Sequence, residues 1–278
     1  EDAASLPGVV TKFSAVHNGR RYTIHRHGKA GSTILKLPTT AHSDLVANEF
    51  MGYQLCQALQ LNCASARIIS RAEAELPEHI PFGQILAVDR FDHLSGGERV
   101  HMEDFNQVLG YAPRHKYGQR NPTRPLQDWA TMLRVLNRLS TQPVQDTREF
   151  LARMLAFTLM GNTDAHLKNW ALIYPDGRHP QLAPVYDPVC IAAFLQNAPA
   201  GQYAVNRAID AQLSRLSWDD MRALMQAAGL LRIPRHISLL RDLVRQAKAA
   251  WPALLQDAPP AMRSAIEGRL QGSVLLAN

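Results

Sequence analysis

The sequence predicts an α+β chain with a small β-rich first third and a larger helical remainder. Short apolar stretches of period two, rich in β-branched and aromatic residues, recur through residues 8–38, 66–70 and 84–91. From about His93 the apolar spacing lengthens to the three-to-four residue period of helices. A third observation interrupts the helical part. Two apolar stretches between residues 170 and 187 flank Pro175-Asp176-Gly177-Arg178, the composition of a hairpin turn.

Taken in order, residues 8–16 read as a strand, Asn18-Gly19 favours a two-residue hairpin turn, and residues 21–26 return with Tyr22 and Ile24 on one face. Residues 32–38 form a third strand whose only charge is Lys36. A lysine in a buried strand needs an anionic partner; on an edge strand it would snorkel to solvent instead. Residues 43–59 read as a helix capped by Ser43 or Asp44, with Leu45, Phe50, Leu55 and Leu59 among its apolar positions. Glu49 lies within it, either exposed or paired with Lys36. Residues 66–70 and 84–91 complete the sheet, and Ser95-Gly96-Gly97 makes a loop. Residues 112–125, rich in Pro and Arg, read as irregular. Residues 126–139 keep Leu126, Trp129, Leu133, Leu136 and Leu139 near one face. An Asp146-x-x-Glu149 capping signal introduces a central apolar helix over 149–160. Ser217-x-x-Asp220 opens another helix, and residues 234–255 and 260–270 supply two more.

With 278 residues, 46% of them hydrophobic and 19% charged, the chain can bury a sizeable core as one domain or two lobes. The net charge of +6 invites a nucleic-acid reading, but the basic residues are scattered. Their densest patch is Arg114, His115, Lys116, Arg120 and Arg124, interleaved with Tyr111 and Tyr117. It reads as a solvated loop with at most a weak attraction to RNA or an acidic surface. Cys56, Cys63 and Cys190 are odd in number and form no C-x-x-C pair, as in a reduced cytoplasm. No apolar run reaches a membrane-spanning length, and no basic-then-apolar leader is visible, so the cytoplasm is the expected compartment. Walker A, G-x-S-x-G and paired-His metal motifs are absent, which disfavours P-loop NTPases, esterases and zinc enzymes.

Polar residues crowd the end of the central apolar helix, in Gly161-Asn162-Thr163-Asp164-Ala165-His166-Leu167-Lys168-Asn169. An Asp and an Asn five positions apart can accept a substrate hydroxyl proton and hold a metal ion. The hairpin that follows would bring Asn169 beside Asp187, two oxygen ligands suited to a Mg²⁺ carrying nucleotide phosphates. The D-x-x-x-x-N pattern alone occurs by chance. It is the hairpin and the second acidic residue at its base that give it weight.

This stretch, with Leu182-Ala183-Pro184-Val185-Tyr186-Asp187, resembles the signature of the HipA-type serine/threonine kinases, the toxin components of bacterial toxin–antitoxin modules. The resemblance implies a two-lobed protein-kinase-like fold, with a β-rich lobe over 1–93 and a helical lobe over 94–278. It implies ATP and Mg²⁺, Asp164 as the base, Asn169 and Asp187 as metal ligands, and Lys36 on the ATP phosphates. Gly8 and Lys12 fall in the nucleotide-covering loop, where the family usually shows Gly-Val-Gln-Pro-Lys and this chain has Gly8-Val9-Val10-Thr11-Lys12. Asp89-Arg90-Phe91-Asp92 resembles the hinge, with Asp89 in place of a Glu and the backbone of residues 89–91 toward the adenine. Tyr186 joins Asp187 at the nucleotide. His166 and Lys168 lie toward the γ-phosphate, although His166 reads equally as a buried structural residue. Ser5, three residues before Gly8, takes the position of the family's regulatory serine, which implies autophosphorylation that switches the enzyme off. A turn cap before Pro7 is the plainer reading of Ser5. The partners implied are a protein substrate such as an aminoacyl-tRNA synthetase and a DNA-binding antitoxin; the family's further N-terminal subdomain is expected either to be cut away from this chain or to come from a small separate protein. A catalytically inactive kinase-shaped binding module is the rival reading, allowed by Val10, Thr11 and Asp89. The joint retention of Asp164, Asn169 and Asp187 speaks against it.

Overall fold

The period-two stretches form a five-stranded antiparallel sheet. A computed structural model describes residues 12–17, 22–24, 31–38, 43–76, 78, 83–93, 98–118, 126–195 and 216–272. Its first five strands are β1 (Lys12–His17), β2 (Tyr22–Ile24), β3 (Thr33–Lys36), β4 (Ala66–Ser70) and β5 (Gln84–Asp89), in the order β2-β1-β3-β5-β4. The central strands bury both faces, which is why they read as nearly unbroken apolar runs. Leu35, Ile85 and Ala87 pack on one side with Ala15, Tyr22 and Ile69. Leu86 and Val88 face the other way, against Val46, Tyr53 and Ala64.

Val46 and Tyr53 belong to α1 (Leu45–Ala58), whose opposite side carries Met51, Leu55 and Cys56 into the main helical core. The helix is therefore apolar on two faces, one for each layer. Asp44 occupies its N-cap position without a side-chain capping bond. Gly52 is required where α1 crosses the chain beyond the hairpin, since a Cβ there would lie 1.7 Å from the Pro188 carbonyl oxygen.

The remaining helices are α2 (Phe105–Val108), α3 (Gln127–Leu139), α4 (Pro143–Met160), α5 (Ala192–Leu195), α6 (Trp218–Ala228), α7 (Ile233–Leu254) and α8 (Pro260–Gly272). The most buried is α4, with Phe150, Met154, Leu155 and Leu159 among its fully enclosed side chains. It begins at Pro143, ahead of the start the sequence suggested. Asp146 is not its cap. Buried within the first turn, it accepts from the Ser140 hydroxyl (2.6 Å), the Gln142 amide (3.0 Å) and the Leu182 N–H (2.8 Å). Pro143 at the first helical position has no N–H to be capped, and the Asp146 carboxylate fastens the hairpin instead. The capping box at Ser217 and Asp220 forms as expected.

A second sheet lies within the helical part, β6 (His101–Asp104), β7 (Ala171–Tyr174) and β8 (Gln181–Leu182), in that order. The hairpin is as predicted. Residues 101–104, which fall where the sequence suggested helical periodicity, instead pair with β7, His101 opposite Tyr174 and Asp104 opposite Ala171. Asp104 then caps α2 with a full capping box. Cys56 and Cys190 are buried, Cys63 is half-buried, and all three are free. Among the described residues no helix is long and apolar enough to cross a membrane.

Candidate active site

The site forms where β1 and β3, α1 and the two ends of the hairpin converge. Lys12 and Lys36 sit directly opposite each other on β1 and β3. Like charges so placed repel, and the repulsion is answered by Asp187, which meets the Lys36 ammonium directly and lies 3.8 Å from that of Lys12. From α1, Glu49 reaches the same ammonium at 2.5 Å. Lys36 is thus a buried strand lysine with two carboxylate partners, which settles the choice that its sequence left open. Burial works against its charge, but Asp187 and Glu49 together raise its pKa above the ordinary lysine value. Burial likewise opposes ionisation of Asp187, and the two lysines outweigh it, holding that carboxyl well below its usual range.

The ends of the hairpin are fixed from beneath. Trp170, fully buried, packs its ring on Phe150 (4.9 Å between centroids), Trp129 (5.4 Å) and Phe157 (5.6 Å), and its indole N–H donates to the Ala165 carbonyl at 3.2 Å. Val185 is clamped by the chain leaving α1: its N–H donates to Asn62 and its carbonyl accepts from Ala64. Asn48 of α1 exchanges two hydrogen bonds with the backbone of Cys190 (3.1 and 2.8 Å). Between these anchors Asp187 takes φ +53°, a left-handed conformation that Asp tolerates better than most residues.

Asp164 follows the end of α4, where Gly161 adopts φ +76° and closes the helix. The Asp164 carbonyl accepts from the His166 N–H (2.7 Å) and the Asn169 side-chain amide (2.9 Å), which ties both ends of the D-x-x-x-x-N loop together. Its carboxylate accepts from the Tyr117 hydroxyl at 2.9 Å. Burial raises the Asp164 pKa to about 6, against the pull of the Tyr117 bond and of Lys116 and with a small push from Asp187. Burial and the nearby Lys116 lower His166 to about 4, so its ring is neutral. His166 is buried, and its Nδ1 has no hydrogen-bond partner among the described residues.

The other residues singled out in the sequence distribute as follows. Lys168 is exposed, and its carbonyl accepts from the Tyr186 hydroxyl at 2.7 Å. Phe91 and Tyr186 form a tilted aromatic pair, 5.5 Å between ring centroids, which joins the end of β5 to the hairpin base. The Asp89 carboxylate is held bidentately by Arg67 and accepts from Thr33. The N–H groups of Asp89 and Arg90 donate to Ser65 and Ser32, so those two backbone donors are spent within the sheet. Gly8 and Ser5 lie outside the described residues. Tyr117 was not among the site residues read from the sequence. The signal available was its place, next to Lys116, in the loop of interleaved Tyr and basic residues.

The donor set suits a metal–nucleotide pair. The Asn169 and Asp187 side chains offer hard oxygens, while two lysines and a neutral buried imidazole with an unpartnered nitrogen offer donors for phosphate.

The sequence matches the family described as the HipA-like C-terminal domain over residues 4–251. It is 34% identical over 267 residues to Y4dM of Sinorhizobium fredii, a protein provisionally named a kinase, covering 94% of this chain and 62% of that one. To the serine/threonine-protein kinase toxin HipA of Shewanella oneidensis it is 27% identical over 264 residues, covering 91% of this chain and 57% of the other. The fold is that of Shewanella oneidensis MR-1 HipA solved with HipB and operator DNA, with a TM-score of 0.70, 24% identity, and coverage of 98% of this chain and 63% of that one. The chain therefore spans less than two thirds of the length of these relatives. Since the family match takes in both sheets and every residue named at the site, the chain belongs to the HipA-like C-terminal domain family.

Proposed function

We propose that this chain is an ATP-dependent serine/threonine protein kinase. The observation that carries the reading is the Lys36 ammonium, held at once by Glu49 from α1 and by Asp187 from the hairpin. A strand lysine that holds a helix glutamate and a metal-loop aspartate on one ammonium brings together parts that phosphoryl transfer uses. Bound Mg²⁺ and ATP would supply the phosphoryl group and neutralise its charge. Glu49 keeps Lys36 aimed at the phosphates, with Gly8 and Lys12 closing over them, and Asn169 and Asp187 are the residues to hold the metal. Phe91, Tyr186 and the backbone near Asp89 flank the nucleotide, and His166 and Lys168 donate toward its terminal phosphate. Asp164 accepts the proton of the acceptor hydroxyl; a pKa of about 6 leaves it ionised at neutral pH yet still basic.

On this reading residues 1–93 and 94–278 act as the two lobes. The acceptor is a protein serine, with an aminoacyl-tRNA synthetase as the candidate substrate, and the chain works in the cytoplasm. A DNA-binding antitoxin is the proposed partner, supported by the HipB and operator DNA present with the structural relative. Ser5 is the proposed autophosphorylation site. A phosphate there adds about −1.5 to −2 charges and would compete with nucleotide for Lys12 and Lys36.

Incubation with labelled ATP and Mg²⁺ tests the reading. The parent should transfer phosphate, and Asp164→Asn should abolish transfer while still binding ATP. Asp187→Ala should lose the thermal shift that Mg–ATP produces. Binding without transfer in the parent would favour an inactive kinase-shaped module. Mass spectrometry should find phosphate on Ser5 in the parent and none in Asp164→Asn; a fully active enzyme stoichiometrically phosphorylated at Ser5 would exclude the switch.

A further inference from the structure

We propose that Tyr117 is a positioning residue for phosphoryl transfer, its phenol holding one oxygen of the Asp164 carboxylate so that the other is presented to the acceptor hydroxyl. The inference rests on the kinase reading above. The terminal torsion of an Asp side chain is soft, and a base that must meet a hydroxyl within a few tenths of an ångström needs something to stop its rotation. The 2.9 Å bond from Tyr117 Oη to Asp164 Oδ1 does this.

The support is built from both sides. Toward the site, the loop carrying Tyr117 is bonded to the D-x-x-x-x-N loop a second time, from the Leu167 N–H to the Lys116 carbonyl at 2.8 Å. The Tyr117 ring meets the His166 imidazole edge-on, 5.4 Å between centroids, and lies under the Lys116 ammonium at 5.0 Å. Away from the site, Asn106 donates to the carbonyls of Tyr111 (2.9 Å) and Ala112 (3.3 Å), and the Tyr111 hydroxyl donates to Asp128 at 2.8 Å. Residues 111–118 therefore form a braced segment whose far end is a single phenol on the base. The loop read from the sequence as a solvated basic patch has its functional weight in a tyrosine.

Tyr117→Phe keeps the ring, its packing on His166 and the Lys116 contact, and removes only the hydroxyl. In a full-chain assay of labelled phosphate incorporated from Mg–ATP into the protein itself, the maximal rate should fall about 10- to 100-fold. The ATP concentration for half-maximal rate and the melting temperature should stay at parental values. Tyr174→Phe is the control, since it removes a phenol–carboxylate bond of the same kind, to Glu103, outside the loop that braces the base; it should leave the rate unchanged. A parental rate in Tyr117→Phe would overturn the proposal, as would a loss matched by a proportionate rise in the ATP requirement or by a drop in melting temperature. A parent that incorporates no phosphate would instead remove the kinase reading itself, and this proposal with it.

Discussion

Replacing Asp164 with Asn should make the nucleotide-free protein more stable while destroying its activity. The carboxyl is largely enclosed, and burial lifts its pKa from an ordinary 3.8 to about 6, despite the Tyr117 bond and the charge of Lys116; Asp187 adds to the rise. Each tenfold change in proton affinity is worth about 1.4 kcal/mol, so the ionised form costs the fold at most about 3 kcal/mol. Part of the group meets solvent, and screening there brings the working figure to about 2 kcal/mol. A pKa raised in the folded state means stability fully present below the unfolded value and lost as pH rises through the folded one. The cost is thus fully felt above about pH 6 and relieved as pH falls from there toward 3.8. Asn has nearly the same shape, has no charge to desolvate, and can still accept from Tyr117. Denaturant unfolding of both proteins, with EDTA and no nucleotide, should show the Asn variant more stable by about 2 kcal/mol at pH 7.5. The gap should narrow steadily toward pH 4.5. Equal stabilities at pH 7.5, or a gap that does not change with pH, would refute the burial argument.

Two further perturbations follow from the site's construction. Lys36→Met leaves Glu49 and Asp187 facing each other without the ammonium, so it should cost about 3–5 kcal/mol in denaturant unfolding. Adding Glu49→Leu should recover part of that loss without restoring phosphoryl transfer; a Lys36→Met protein as stable as the parent would contradict the charge arrangement. Gly52→Ala places a methyl group against the Pro188 carbonyl, so it should lower stability by about 1–3 kcal/mol and weaken the Mg–ATP thermal shift by moving Asp187. An unchanged melting temperature and an unchanged shift would show that the contact can relax freely.

What could be read in advance follows from how local each signal is. Lys36 stood out because a single charge in an apolar strand demands a partner. Asp164, Asn169 and Asp187 stood out because their spacing is short and a hairpin lies between the last two. Glu49 as the helix partner of Lys36 was visible only as one option, because a glutamate on a helix carries no mark of the face it will occupy. The segment His101-Met102-Glu103-Asp104 has no apolar alternation, and its strand partner lies about seventy residues downstream, so the pairing with Ala171–Tyr174 left no local trace. Asp146 misled for the opposite reason: a sequence pattern shared with helix caps was present, but its carboxylate was committed to Leu182 across the fold. Tyr117 sits in a loop, where no periodicity announces a side chain's direction.

The anchoring of α1 bears on how such a protein can be turned off. Its C-terminal end is held by Trp251 and Gln246, which donate to the carbonyls of Leu55 and Ala58, while Asn48 and Gly52 bind its middle to the segment after Asp187. In many protein kinases the equivalent helix swings outward and takes its glutamate away from the lysine. Here that swing would tear Leu55 and Cys56 from the main core and break the bonds that hold the middle and the C-terminal end of the helix. On the kinase reading, rotating this helix is therefore a costly route to an off state. On that reading the less costly route leaves Glu49 in place as a fixed stop and acts from the other side, through strands and loops that withdraw Lys12 or Lys36 or bar nucleotide from them.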